Sequence, residues 1–206
     1  MAVGVPYDIG DLIDKVYKYS NLGEYLNEEN RLLQELVPRG SALIDFGCGN
    51  GRHLRMLEPR LKKGFGIDID LEHIESARKL NKSNILNFIV ADAKKYIPEN
   101  KYDVAISMYN TMGNIYPPGR VLANMQKACV AEGRIIVSVF SDNSIEERIE
   151  FYQKIGFGIK KVTEKSILTD KGVRSDHYSE SRLASLIPGA EIIPCSRFGR
   201  LAVKFL

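Results

Sequence analysis

From residue 41 to residue 140 the chain alternates short apolar runs with stretches of helical period, and this alternation constrains the fold more than any other feature. Residues 42–46, 64–69, 85–90, 102–108 and 134–140 read as buried strands, with helices over 52–57, 71–80 and 120–130. Strands regularly separated by helices imply a parallel sheet with right-handed crossovers and helices on both faces.

The two ends depart from that rhythm. Ile9, Leu12, Ile13 and Val16 fall at helical spacing, and Leu22, Tyr25, Leu26, Leu32, Leu33 and Leu36 form a second amphipathic stripe that stops at Pro38-Arg39-Gly40. Beyond residue 140 we expect an inserted helix over 144–155 and a hairpin of 158–168 with 173–178, turned by Asp170-Lys171-Gly172. A capped helix over 179–186 and a terminal hairpin of 190–195 with 201–206 follow. No repeat or low-complexity linker divides the chain, so 1–206 reads as one domain. Its parts are N-terminal helices (1–40), a core (41–140), an insertion (141–178) that could cover a substrate, and a terminal helix and hairpin (179–206).

Composition excludes several classes. With 206 residues, 44% apolar and 27% charged, the chain has the profile of one soluble globular domain. Cys48, Cys129 and Cys195 are too few for a disulfide framework or a zinc cluster, and no apolar run approaches membrane-spanning length. The opening residues 1–6 lack the basic and apolar regions of a secretory signal, so a cytoplasmic setting is expected. The net charge of +3 is uneven: residues 151–206 hold ten Lys/Arg against five Asp/Glu, a bias that permits an anionic partner without requiring one.

The segment richest in chemistry is Asp45-Phe46-Gly47-Cys48-Gly49-Asn50-Gly51, a glycine-rich turn between a strand and a helix. Glycines tolerate positive φ and let a ligand approach the backbone, while the helix start offers free N–H groups. A P-loop is excluded because no Gly-Lys-Ser/Thr follows, and the dinucleotide fingerprint because Arg52 stands where a third glycine is needed. Asp68 ends the second strand, where a carboxylate can accept both hydroxyls of a ribose, and Asp92 follows the third, where one could take an exocyclic amine. Each Asp alone also suits a turn or helix cap; together they line the crevice at the carboxyl ends of parallel strands.

These residues, in this order, resemble the class I S-adenosylmethionine-dependent methyltransferases. The resemblance covers residues 41–140 and implies an α/β Rossmann-like fold: a seven-stranded, mostly parallel sheet ending in an antiparallel hairpin, with an extra inserted hairpin before the last helix. It implies S-adenosylmethionine as cofactor, with Gly47, Cys48 and Gly49 under its methionine part and Asp45 at its amino group. Asp68 would grip the ribose, Ile69 would lie against the adenine, and Asp92 and Ala93 would read the adenine edge. The strand ending at Ser107 and Met108 would lie near the reactive methyl group.

The expected reaction is metal-free methyl transfer to an N or O of a small molecule, since no metal-ligand spacing is present and in-line displacement depends chiefly on positioning. The loop Met108-Tyr109-Asn110-Thr111 resembles that of glycine- and sarcosine-type N-methyltransferases, which implies Tyr109 and Asn110 at the substrate and the Asn110 amide on a carboxylate; capping the next turn is the open alternative. Tyr19, at a helix break, is a candidate for closing over the sulfonium, whereas Tyr25 suits core packing. His53 and His177 are candidate bases, His73 reads as a solvated face residue, and Cys48 as a packing residue. An RNA-directed enzyme and a non-catalytic cofactor-binding subunit are the other readings the sequence admits.

Overall fold

The computed structural model describes residues 9–206, so the expectation for residues 1–6 lies outside the described residues, and residues 9–11 are described in their backbone only. Helices α1 (Ile9–Tyr19) and α2 (Gly23–Leu36) precede β1 (Ser41–Phe46), which is buried along its whole length. There follow α3 (Arg52–Leu57), β2 (Leu61–Asp68), α4 (Leu71–Leu80), β3 (Leu86–Val90), β4 (Tyr102–Ser107), the single turn α5 (Thr111–Asn114), α6 (Gly119–Ala128) and β5 (Cys129–Phe140). The last third holds α7 (Ile145–Lys154), β6 (Ile159–Val162), β7 (Ser166–Thr169), β8 (Arg174–Asp176), α8 (Glu180–Leu186), β9 (Glu191–Cys195) and β10 (Gly199–Phe205).

Seven strands form one sheet in the order β3-β2-β1-β4-β5-β10-β9. The first five are parallel, and β10 then runs antiparallel to β5 and to β9. Successive side chains of the central strands feed opposite layers, which is why they read as continuous apolar runs. Leu43, Val104, Ile106 and Ile136 pack with Leu26, Leu33, Leu54 and Ile74 on one face. Ala42, Ile44, Ala105 and Ile135 pack with Val121, Met125 and Leu183 on the other. The strand order reverses between β1 and β4, which opens a crevice at their carboxyl ends.

Three boundaries differ from expectation. Strand β2 begins at Leu61 because Leu61 pairs with Ser41 across a register shift, with Lys62 turned to solvent. The helix expected to reach Val130 ends at Ala128, since Cys129 pairs with Tyr102 and starts β5. The stretch read as one strand over 158–168 is two, making a three-stranded β6-β7-β8 sheet rather than a hairpin. The break is a hydroxyl turn: Thr163 Oγ1 accepts from the N–H groups of Lys165 (3.2 Å) and Ser166 (3.0 Å), chemistry that leaves no trace in hydrophobic period.

Candidate active site

The glycine loop is shaped by contacts that only glycine permits. Gly47, at φ +82°, would bring a Cβ to 2.3 Å from Thr111 Cγ2, and Gly51, at +76°, would bring one to 2.5 Å from Phe88. The Gly47 and Cys48 N–H groups both donate to Ile67 O (2.8 and 2.9 Å), anchoring the loop on β2. Asp68 accepts from Gly49 N–H (2.8 Å) and Asp70 N–H (3.0 Å), so its carboxylate is preset at the end of β2. Asp70 caps α4 by accepting from Glu72 and His73, and Asp92 accepts from Lys94 N–H (2.9 Å).

A cavity of about 300 Å³ opens at the switch point, at the lower end of the range for small-molecule sites. One end is walled by Gly47, Asp68, Ile69, Asp92 and Ala93, together with His73. The other end is walled by Leu12 from α1, Leu22 from the α1–α2 turn, Tyr109 from the loop after β4, Phe140 from the end of β5, Arg148, Phe151 and Tyr152 from α7, and Ser175 from β8. His73 is buried, not solvated, with Nδ1 3.8 Å from Asp68 Oδ1. The helix that Asp70 caps turns it inward, and sequence period alone did not separate that face from the solvent one.

Four of the expected cofactor residues stand behind this wall. Asp45 is fully buried and neither of its carboxylate oxygens has a hydrogen-bond partner. Burial, reinforced by Asp68 and Glu29, pushes its carboxyl well above the usual range. Cys48 is buried against Gly66 and burial raises its thiol well above the ordinary value, as suits a packing residue. Gly49 serves through its N–H to Asp68, and the Ser107 hydroxyl donates to Phe46 O at 2.9 Å.

The loop after β4 follows a different plan from the one expected. Tyr109 and Asn110 both adopt positive φ (48° and 57°), a conformation costing on the order of 1 kcal/mol or more for each non-glycine residue. Buried polar bonds hold it. Tyr109 N–H donates to Glu29 Oε1 (2.7 Å) and to Ser138 Oγ (2.7 Å). The Asn110 amide nitrogen donates to Ser175 Oγ (3.1 Å) and Asp176 O (3.2 Å), while its oxygen accepts from Phe140 N–H (3.0 Å). Asn110 is therefore buried and fully engaged in tying the loop to β5 and β8, so it is not free to hold a substrate carboxylate and makes no side-chain cap. Tyr109 does line the cavity, stacked on Tyr25 at 6.0 Å, and burial keeps its hydroxyl protonated far above the usual range.

The candidates for proton transfer and closure also fall elsewhere. Tyr19 is exposed beyond the cavity wall, with Lys18 over its ring. His177 is buried outside the wall; burial first, and then the Arg148 guanidinium, lower its pKa and keep the ring neutral. His53 Nε2 lies 3.0 Å from Glu29 Oε2 and 2.7 Å from Arg52 Nη2, and burial lowers its pKa. Tyr25 is core, as its stripe suggested, with its hydroxyl donating to Ser138.

Glu29 is the residue that sequence reading missed. It is fully buried on α2 and accepts from Tyr109 N–H, Ser138 Oγ and Arg52 Nη2, with His53 alongside. Burial by itself would raise its carboxyl, but the hydrogen bond to His53 and the Arg52 charge bring it down to about 2. A charged residue on an otherwise apolar helical stripe was the available signal.

Residues 43–133 match the model of a methyltransferase domain. Ribosomal protein L11 methyltransferase of Paraburkholderia phymatum is 30% identical over 128 residues, which are 59% of this chain and 39% of that protein. Malonyl-[acyl-carrier protein] O-methyltransferase 1 of Ilyobacter polytropus is 29% identical over 141 residues, 64% of this chain and 52% of that protein. The chain thus spans between about a third and a half of the length of the curated relatives it matches. An S-adenosylmethionine-dependent methyltransferase from Clostridium acetobutylicum superposes with a TM-score of 0.66 at 13% identity, covering 96% of this chain and 97% of that one, and so shares the fold. The domain match over residues 43–133, the strand order and the glycine loop agree, and the fold is that of the class I S-adenosylmethionine-dependent methyltransferases.

Proposed function

We propose that the protein transfers a methyl group from S-adenosylmethionine to a nitrogen or oxygen of a small-molecule acceptor. The observation that carries this reading is that Gly47, Asp68, Ile69, Asp92 and Ala93 wall one end of the same cavity whose other end is aromatic. The residues fit the cofactor. A Cβ at Gly47 would fill the cradle, and the unpartnered Asp45 carboxyl suits an ammonium, directly or through water. Asp68 would take the ribose hydroxyls, Ile69 the adenine face, and Asp92 with Ala93 the adenine edge.

S-adenosylmethionine supplies an electrophilic methyl group on a sulfonium. The protein's part is to align the acceptor and keep water out, since orientation and desolvation are the main terms in such a displacement. Arg148, Phe151, Tyr152 and Ser175 of the 141–178 segment, set over the acceptor end, support reading that segment as the substrate cover. The acids lining the cavity, Asp68, Asp70 and Asp92, stand at the cofactor end, and the Tyr109 hydroxyl stays protonated. An acceptor that arrives with its lone pair free, such as a neutral amine, needs neither a base nor a Lewis acid, so the proposed transfer is metal-free. Among the described residues no helix is long and apolar enough to cross a membrane, and all three cysteines are free thiols, which suits the cytoplasm.

Calorimetric titration with S-adenosylmethionine and S-adenosylhomocysteine tests the cofactor site. Binding on the order of micromolar that weakens sharply in Asp68→Ala is expected; no binding by the intact protein overturns the reading. Methyl transfer is then assayed on small amines and acids beside tRNA and protein pools. Transfer confined to a macromolecular pool overturns the small-molecule acceptor.

A further inference from the structure

Arg148 is the largest fully buried side chain of the described residues, and it lines the acceptor end of the cavity. Its Nη2 donates to Ser175 O at 2.8 Å, but Nε and Nη1 have no hydrogen-bond partner. The guanidinium carbon lies over the Phe140 ring, 4.4 Å from its centroid. No carboxylate among the described residues pairs with it.

Among the described residues Arg148 is the one buried arginine, and it differs from the less buried ones that hold a carboxylate. Arg52 pairs with Glu29, Arg174 and Arg182 with Asp176, and Arg200 with Asp142. Asp176, next to the Ser175 that Arg148 holds, is thus already engaged by two arginines, and the neighbouring His177 ring is neutral. A buried cation without a counter-charge is among the costliest arrangements in a protein interior. When such a cation walls a cavity, a ligand can supply the missing charge, and a guanidinium takes a carboxylate through two parallel hydrogen bonds.

We propose that Arg148 is the receptor for a carboxylate on the methyl acceptor, which makes the substrate class small carboxylic acids with an apolar or aromatic body. Tyr109, Phe140, Phe151 and Tyr152 supply the wall for that body. With the carboxylate at Arg148 and the cofactor at the glycine loop, the acceptor is aligned between them, and acids of the wrong length misplace the nucleophile. Small amines without an anion leave the guanidinium unpaired and bind poorly. The inference rests on the methyltransferase reading for the acceptor's role, but the anion site itself can be tested without the cofactor.

The experiment compares wild type with Arg148→Met and Arg148→Lys, with or without S-adenosylhomocysteine. The probes are benzoate and 3-phenylpropionate, each against its carboxamide. The readouts are thermal unfolding and the NMR signal of the Arg148 Nε–H, assigned by its loss in the variants. The carboxylates are expected to shift that signal and to raise the wild-type Tm in a concentration-dependent way, whereas the carboxamides do neither. Without ligand, Arg148→Met should unfold at the wild-type temperature or about 2–4 °C above it, because it removes an unpaired buried charge. Calorimetric affinity for S-adenosylhomocysteine should stay within about twofold in both variants, since Arg148 stands at the acceptor end. Carboxylates that leave the Nε–H signal and the Tm unchanged, or that act no differently from the amides, overturn the proposal. So does an Arg148→Met protein that unfolds well below wild type, which would make the guanidinium a structural strut. Failure of S-adenosylhomocysteine to bind wild type would count against the methyltransferase reading alone.

Discussion

The two ends of the cavity are built in contrasting ways. The proposed cofactor end comes from short segments in chain order, Gly47, Asp68 with Ile69, and Asp92 with Ala93, each at the carboxyl end of a parallel strand. The proposed acceptor end is assembled from α1, the α1–α2 turn, the β4 and β5 ends, α7 and β8, which meet only in the folded chain. At the first end the backbone carries the geometry, so the residue types are narrow and recognisable. At the second the side chains carry it, and many residue types could fill the same space.

Glu29 bridges the two ends, because it accepts from Tyr109 N–H on the acceptor side and from Arg52, which opens the helix after the glycine loop. Replacing it with Ala should have the largest effect, destabilising the fold by about 3–5 kcal/mol, since buried donors lose their acceptor and Arg52 its counter-charge. Urea unfolding measures it. A loss below about 1 kcal/mol would mean that the two ends are not joined through this carboxylate.

Gly47→Ala should confine its damage to the cofactor end. The Cβ would stand 2.3 Å from the Thr111 side chain on a backbone at φ +82°, so a loss of on the order of 100-fold in S-adenosylhomocysteine affinity is expected with a smaller change in Tm. Equal losses in both would show that the loop is part of the folding core.

The acid limb of the stability profile sharpens the contrast further. The Glu29 carboxyl sits at about 2 in the folded protein against an ordinary 4.5, so its contribution is fully present above pH 4.5 and is lost as pH falls toward 2. Wild type should lose roughly 3 kcal/mol over that interval from this group, and Glu29→Gln should lack that share of the slope. Identical acid limbs would place the ionised carboxylate elsewhere.

The smallest effect is expected at the acceptor end. Tyr152→Phe removes a hydroxyl and keeps the ring, so cofactor affinity should be unchanged and acceptor KM should rise by no more than about tenfold. A change in cofactor affinity would mean that the two ends are not separable.

The parallel core, the terminal hairpin and the order of acids at the strand ends were legible in the sequence because period, glycine spacing and strand ends are local properties. The turn at Thr163 and the start of β5 at Cys129 were not, since a hydroxyl–backbone bond and a strand register decide them. Asn110 shows the limit most clearly. Its position after β4 was readable, but whether its amide faced a substrate or the backbone of β5 and β8 depended on where residue 175 came to rest.

By itself the sequence determined the topology and the glycine loop, because hydrophobic alternation and glycine's freedom at positive φ act within a few residues. Only the tertiary structure decided that Glu29 would be a buried anion with four polar neighbours, and Arg148 a buried cation without a carboxylate beside it. The energy of a charge depends on its surroundings once water is removed, and those surroundings come from segments far apart in the chain.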